Sequence, residues 1–268
     1  MNYKFPEPIV MISGFKAGTW LLRKIISGLT QLDVYEPPLI AGENKYYNAD
    51  QLHFVDKHFY SWHLVPTREV IDKLNAHNAK TIFLIRNIYD LAVSIYYHFF
   101  NNIDEDIGRG AGKHHFLKQF SFAEGLSLII TGFDEDGTRW TGMADPLRQY
   151  NEIFKAHGQC DSIIINYDHL VDKKKEILIQ LTKHLDISTP ASTIENLINE
   201  TSFSAMKAAA GGENMGFSHF REGKAATNRQ QLANFHIIQL RQMIKLCVPD
   251  LYHNAERVQM TEIISYST

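Results

Sequence analysis

Two short segments of this sequence carry the residue types and spacing that catch anions. The first is Ser13-Gly14-Phe15-Lys16-Ala17-Gly18-Thr19-Trp20, set between an apolar run and an amphipathic segment. Gly14 and Gly18 let the backbone curl with its N–H groups turned inward, and a helix start just after them adds partial positive charge. The lysine precedes the second glycine, so the loop differs from the nucleoside-triphosphate P-loop, G-x-x-x-x-G-K-[ST]. Alone, it also reads as an ordinary strand-to-helix turn with a solvated lysine. The second segment is Arg86-Asn87-Ile88-Tyr89-Asp90-Leu91-Ala92-Val93-Ser94. Arg86 is placed where an apolar strand exits, the edge at which open α/β sheets bind ligands. Ser94 falls roughly two helical turns later, so one phosphate meets both groups only if it lies along the helix.

The elements that must position these groups follow from hydrophobic periodicity. Strands are predicted at Ile9–Ser13, more weakly near Phe59–Leu64, and at Thr81–Ile85 and Ser162–Asn166, the last two being short β-branched runs that suit buried parallel strands. Helices are predicted at Thr19–Leu29, Thr67–His77, Ile88–Asn101, Pro146–His157, Asp168–Leu185 and Asn228–Leu246. Pro146 suits a first helical turn and Asp168 an N-cap or first-turn acid. Strands alternating with helices indicate an α/β fold around a mainly parallel sheet. Residues 102–143 and 208–227 break the rhythm and read as irregular lid or acceptor-binding segments of a single domain over residues 1–268.

Composition narrows the function classes. The 268 residues are 44% hydrophobic and 21% charged, the balance of a chain that buries a core, with formal net charge −3. Without a basic excess, neither nucleic acid nor an anionic membrane is an expected partner, and any anion must be caught by local groups. Cys160 and Cys247 make neither a disulfide framework nor a zinc cluster, so reduced thiols, a cytoplasmic location and no metal are expected. The apolar run Ile9–Ile12 is too short for a signal-peptide core, and no stretch approaches the ~20 apolar residues of a membrane span.

The lysine-glycine-threonine loop, the R-N-x-x-D-x-A-V-S segment and the late Arg221-Glu222-Gly223 together resemble the family of sulfotransferases that use 3′-phosphoadenosine 5′-phosphosulfate (PAPS). The matches run in order from about Ile9 to Leu232. The resemblance implies a three-layer α/β sandwich with a P-loop NTPase-like core. It implies that Lys16, Ala17, Gly18 and Thr19 hold the 5′-phosphosulfate end, with Trp20 beside them as a further cofactor contact. Arg86 and Ser94 would hold the 3′-phosphate, with Arg221, Glu222 and Gly223 closing over it. Tyr167, in Tyr167-Asp168-His169-Leu170, and Thr201 and Phe203 match positions lining the adenine. His63, in Tyr60-Ser61-Trp62-His63-Leu64-Val65-Pro66, matches the histidine that abstracts the acceptor proton. Lys16 then supplies charge to the leaving phosphate, and an imidazole near its ordinary pKa of about 6.5 suits the proton transfer. The chain has 13 histidines, and His63 is singled out by this match alone.

Three residues depart from the pattern. Ser61 stands where many family members carry a second lysine. The first loop is one residue short at Gly18-Thr19-Trp20, so that Trp20 either replaces a phosphate-contacting threonine or faces adenine. Glu222 puts negative charge beside the 3′-phosphate. Acceptor choice is expected from aromatic residues (Trp62, Tyr96, Phe99, Phe100, Trp140) and from the acidic groups Asp104, Glu105, Asp106 and Asp134, Glu135, Asp136, which suit a cationic small molecule. Two other readings stay open: a P-loop kinase-like phosphotransferase, and a non-catalytic nucleotide-binding protein of the same fold. A homodimer is compatible with everything above.

Overall fold

The computed structural model describes residues 7–37, 49–101, 111–135, 138–209 and 228–248. In chain order these form β1 (Ile9–Ser13), α1 (Thr19–Thr30), β2 (Asp33–Tyr35), a 3-10 turn at Ala49–Gln51, β3 (His58–Trp62), α2 (Arg68–Ala76), β4 (Lys80–Ile85) and α3 (Ile88–Asn101). There follow α4 (Ala111–Leu117), α5 (Phe122–Thr131), β5 (Phe133–Glu135), β6 (Thr138–Trp140), α6 (Ala144–Ala156), β7 (Ser162–Asn166), α7 (Tyr167–Asp172) and α8 (Lys174–His184). The last are α9 (Ala191–Glu200), α10 (Phe203–Ala209), a 3-10 turn at Arg229–Gln231 and α11 (Asn234–Cys247).

Chain contacts define two compact units: Met1–Ile85 with Gln149–Ala205, and Arg86–Arg148 with Met206–Thr268. The first holds a five-stranded sheet, all parallel, in the order β2-β3-β1-β4-β7. Helices flank it, giving the α/β layered architecture expected from the sequence. The path from β1 to β2 runs toward one edge, and the path from β3 to β4 crosses β1 toward the other. Right-handed crossovers in opposite directions put α1 and α2 on opposite faces. β1 is buried along its whole length, as its IVMIS sequence requires. On one face Met11, Phe59, Ile82, Leu84 and Ile165 pack with Leu22, Ile25, Ile26 and Leu29 of α1 and with Leu178 and Leu181 of α8.

The second unit has an aromatic interior. Tyr96 stacks on Phe100 at 5.3 Å and meets Phe122 edge-on at 4.9 Å. Trp140 meets Phe99 edge-on at 5.1 Å and donates its indole N–H to the Ile129 carbonyl at 2.8 Å. The described part of 102–143 is therefore regular: α4, α5 and the antiparallel β5–β6 hairpin. Ser121 and Glu124 form a capping box that starts α5. Two long predicted helices are also divided. Residues 168–185 separate into α7 and α8 at Lys173, whose φ of −121° is not helical, and α11 begins at Asn234 after the 3-10 turn. No helix of the described residues is long and apolar enough to cross a membrane.

Candidate active site

Because β1, β3 and β7 are parallel, their carboxyl ends lie on one edge of the first unit's sheet. The loop after β1, His63 after β3 and Tyr167 after β7 are placed there. The loop is a tight turn closed by the Ala17 N–H to the Gly14 carbonyl at 3.1 Å. Lys16 adopts φ 61°, in the left-handed region that a non-glycine residue seldom takes, and Gly18 has φ 103°. Both glycines are demanded by tyrosine rings. A Cβ on Gly14 would lie 2.6 Å from the Tyr150 ring, and one on Gly18 would lie 2.3 Å from the ring of Tyr167. Gly18 is also the N-cap of α1. It brings no side-chain hydrogen bond to the helix start, and the first turn carries no acid. The first N–H groups of a helix have no intrahelical acceptor, so this terminus suits an anion. Ala17 is fully buried in the core beneath the loop, whereas Trp20 is 56% exposed, with the Arg23 guanidinium 5.8 Å from its ring centroid.

His63 is tied into this edge by its Nδ1. The register pairs Ile12 with Trp62, which brings His63 level with Ser13. Nδ1 lies 2.9 Å from the Ser13 carbonyl and 3.1 Å from Ser13 Oγ. A carbonyl only accepts, so Nδ1 carries the proton and donates, which leaves Nε2 as the basic nitrogen of the neutral ring. Ser13 Oγ in turn contacts Thr19 Oγ1 at 2.9 Å, so the Thr19 hydroxyl faces inward toward this pair. Phe15 and Trp62 flank the imidazole, each with its ring centroid 5.8 Å away. Burial pushes the His63 pKa down to about 4. The Ser13 hydrogen bond and Glu36 work against this, while Arg23 and Lys16 reinforce it.

Two residues that sequence reasoning passed over hold this arrangement. Gln149 is buried, and its side-chain nitrogen lies 3.0 Å from the Leu64 carbonyl, 3.1 Å from that of His63 and 3.3 Å from that of Ser13. It therefore joins the exits of β1 and β3 with one amide group. Arg23 is buried too. Its Nε donates to Ser61 Oγ at 2.7 Å and its Nη2 to the Ser61 carbonyl at 3.1 Å, so the serine at the expected lysine position is engaged by an arginine from α1.

Tyr167, partly buried, opens α7, whose start is capped by the Asn166 side chain accepting the Asp168 N–H at 2.9 Å. Thr201 is buried at the end of α9; its hydroxyl donates to the Leu197 carbonyl, and its own carbonyl accepts from Lys174 Nζ at 2.6 Å. Phe203 is partly exposed at the start of α10.

In the second unit, Arg86 follows directly on β4. Its side chain is laid along α3, with Nη1 donating to Ser94 Oγ at 3.2 Å, so the guanidinium and the hydroxyl two turns on are in direct contact. Asn87 Oδ1 accepts the Tyr89 N–H at 3.0 Å at the start of α3. Asp90, fully buried, accepts from Arg229 Nε at 3.0 Å and from its backbone N–H at 2.9 Å, with Nη2 at 2.8 Å. Asp90 thus anchors the segment after the late motif to α3. Arg221, Glu222 and Gly223 themselves lie outside the described residues, as do Asp104, Glu105, Asp106 and Asp136. Asp134 and Glu135 are exposed on β5, where Asp134 lies 3.7 Å from Arg139 of the facing strand. Tyr96 and Phe99 are buried in the aromatic interior of this unit. Among the described residues no cluster of His, Cys, Asp or Glu is arranged to hold a metal.

Comparison with solved structures gives the same fold at low identity. A mouse sulfotransferase, SULT7A1, complexed with PAP, is similar over 98% of this chain and 89% of its own, with a TM-score of 0.63 and 16% identity. A retinol dehydratase in complex with androsterone and inactive cofactor PAP is similar over 93% of this chain and 82% of its own, with a TM-score of 0.64 and 13% identity. Another retinol dehydratase structure, with retinol and PAP, gives a TM-score of 0.63 at 12% identity, over 93% of this chain and 83% of that one. No curated protein matches the chain by sequence. The sulfotransferase domain model, however, matches residues 6–251, running through both compact units. The chain belongs to the sulfotransferase domain family.

Proposed function

We propose that this sulfotransferase takes its sulfuryl group from PAPS and passes it to a hydroxyl or amine of a small-molecule acceptor. The observation that carries the reading is the hydrogen bond from His63 Nδ1 to the Ser13 carbonyl, which fixes the tautomer with Nε2 basic beside an anion-receptive loop. In this reading Nε2 takes the acceptor proton as the acceptor's oxygen or nitrogen bonds to sulfur. The sulfur–oxygen bond to the 5′-phosphate breaks, and adenosine 3′,5′-bisphosphate (PAP) leaves. Lys16 and the N–H groups at the start of α1 neutralise the charge that grows on the leaving phosphate. The uncapped, acid-free start of α1 fits that role. Arg86 with Ser94 fits a second phosphate, lying along α3 as one ligand must to touch both. Tyr167, Thr201 and Phe203 are assigned to the adenine, and Arg221, Glu222 and Gly223 to the 3′-phosphate.

PAP in solved structures of like fold supports PAPS as the donor, and androsterone and retinol in two of them support a small-molecule acceptor. We assign acceptor contacts to the 102–143 and 208–227 segments of one functional domain. The test is transfer of labelled sulfate from PAPS across a panel of neutral phenols and cationic alcohols. Transfer that falls by about 10²-fold or more in His63→Ala, with PAP binding nearly unchanged, supports the assignment. Preference for ATP over PAP, or a panel on which wild type and variant are equally inert, removes it.

A further inference from the structure

Arg23 lies on the face of α1 that packs against the sheet, between the buried Leu22 and Ile25. Its side chain is 9% exposed, and each of its nitrogens is engaged. Nε and Nη2 grip the Ser61 hydroxyl and carbonyl at 2.7 and 3.1 Å, and Nη1 donates to Glu36 Oε2 at 3.0 Å. Ser61 is fully buried in β3, and its hydroxyl, while accepting from Arg23, points its own proton at Met11 Sδ at 3.8 Å. A guanidinium does not lose its proton in proteins. The sheet edge therefore carries a permanent positive charge, balanced by a carboxylate whose side chain is 49% exposed and screened by water.

Stability alone gives little reason for this arrangement. Taking a guanidinium out of water costs several kcal/mol, and well-packed apolar residues commonly serve as well or better at such a place. What the arrangement does provide is a rigid hold on β3 immediately before His63, together with a fixed charge near the imidazole. Among the described residues, the charged groups that act on His63 are Arg23 from α1, Lys16 from the loop after β1 and Glu36 from beyond β2.

We propose that Arg23, locked to Ser61 and Glu36, is a positioning residue for sulfuryl transfer: it fixes the end of β3 that carries His63 and sets the local charge under which that imidazole works. The proposal rests on His63 being the proton acceptor, and it divides the work between two fixed partners. Arg23 biases His63 toward its neutral form, and Glu36 opposes that bias without making it disappear.

The experiment is an NMR titration of the His63 ring in the ligand-free protein. The signal is assigned by its loss in His63→Gln and followed in wild type, Arg23→Gln, Arg23→Lys and Glu36→Gln, beside kcat and KM for PAPS. Arg23→Gln is expected to raise the His63 midpoint and Glu36→Gln to lower it. Arg23→Gln should also reduce kcat by about tenfold or more with a smaller change in KM, and Arg23→Lys should restore part of that loss. Midpoints that stay put in both variants, or that rise in both as water entering a loosened site would make them do, overturn the proposal. Should Arg23→Gln fail to fold, Glu36→Gln at its half-exposed position still decides, because an unchanged midpoint there refutes the coupling. The titration needs no turnover, so a failure of His63 as base, seen as unaltered transfer in His63→Gln, is distinguishable from a failure of Arg23 to act on it.

Discussion

At pH 5.5 an imidazole with the ordinary pKa of about 6.5 is roughly nine-tenths protonated and useless as a base. Burial holds His63 near a pKa of about 4, so at the same pH roughly 97% of it remains neutral by the same relation. The acid limb of kcat/KM should accordingly fall well below pH 6, and the free enzyme should keep most of its pH 7 activity at pH 5.5, about tenfold more than an unperturbed histidine allows. The shift also bears on stability. A histidine whose folded pKa is depressed binds protons more weakly folded than unfolded, so the protein is penalised as pH falls from about 6.5 toward about 4. The penalty is at most about 3 kcal/mol, and less because the ring is partly accessible. The assay is a pH–rate profile at low acceptor concentration, beside urea unfolding at pH 7 and pH 4.5 for wild type and His63→Gln. Destabilisation between those pH values should be smaller in the variant. A profile that turns over at pH 6.5, or an acid destabilisation identical in His63→Gln, would show that burial does not depress the His63 pKa.

Three other perturbations have defined outcomes. Gly18→Ala forces a side chain onto φ 103° and against Tyr167, costing roughly 2–5 kcal/mol from backbone strain and overpacking together. Thermal unfolding should show the loss, Tyr167→Ala should relieve only part of it, and wild-type stability in Gly18→Ala would contradict the close approach. Gln149→Leu removes the amide that joins three carbonyls at the exits of β1 and β3, so kcat should drop by about tenfold or more while PAP affinity, measured by calorimetry, stays close to wild type. Arg229→Met strands a fully buried Asp90 carboxylate, with an expected loss of about 3–5 kcal/mol in denaturant unfolding; a loss under about 1 kcal/mol would show that water reaches Asp90.

The sheet was legible because β1, β4 and β7 are short β-branched runs with both faces buried, and the structure moves their ends by no more than a residue. β3 ends at Trp62 rather than Leu64, which releases His63 from the ladder so that its ring turns back to Ser13. β2 is three residues at the sheet edge, too short for periodicity to register. Two signals in the 102–143 stretch were present and unused. Ser121-Phe122-Ala123-Glu124 is a capping-box sequence, and Asp136-Gly137 is a dipeptide of the kind that favours a two-residue hairpin turn. The residues assigned to the two phosphates could be proposed from sequence because a glycine loop and a strand-exit arginine are local patterns. Gln149 and Arg23 were missed because their work is done across the sheet, over separations that no local pattern encodes. Arg23 alone left a trace: a charge on the apolar face of an amphipathic helix, where a residue almost never sits without a partner.

The proposed function requires that the loop after β1 and the Arg86–Ser94 pair both contribute to binding one doubly phosphorylated adenosine. Calorimetric titration of wild type, Lys16→Ala and Arg86→Ala with PAP and with ATP measures that directly. One PAP bound per chain, preferred over ATP and weakened by about tenfold or more in each variant, is the predicted result. PAP affinity untouched by either substitution, or ATP bound more tightly than PAP, would contradict it.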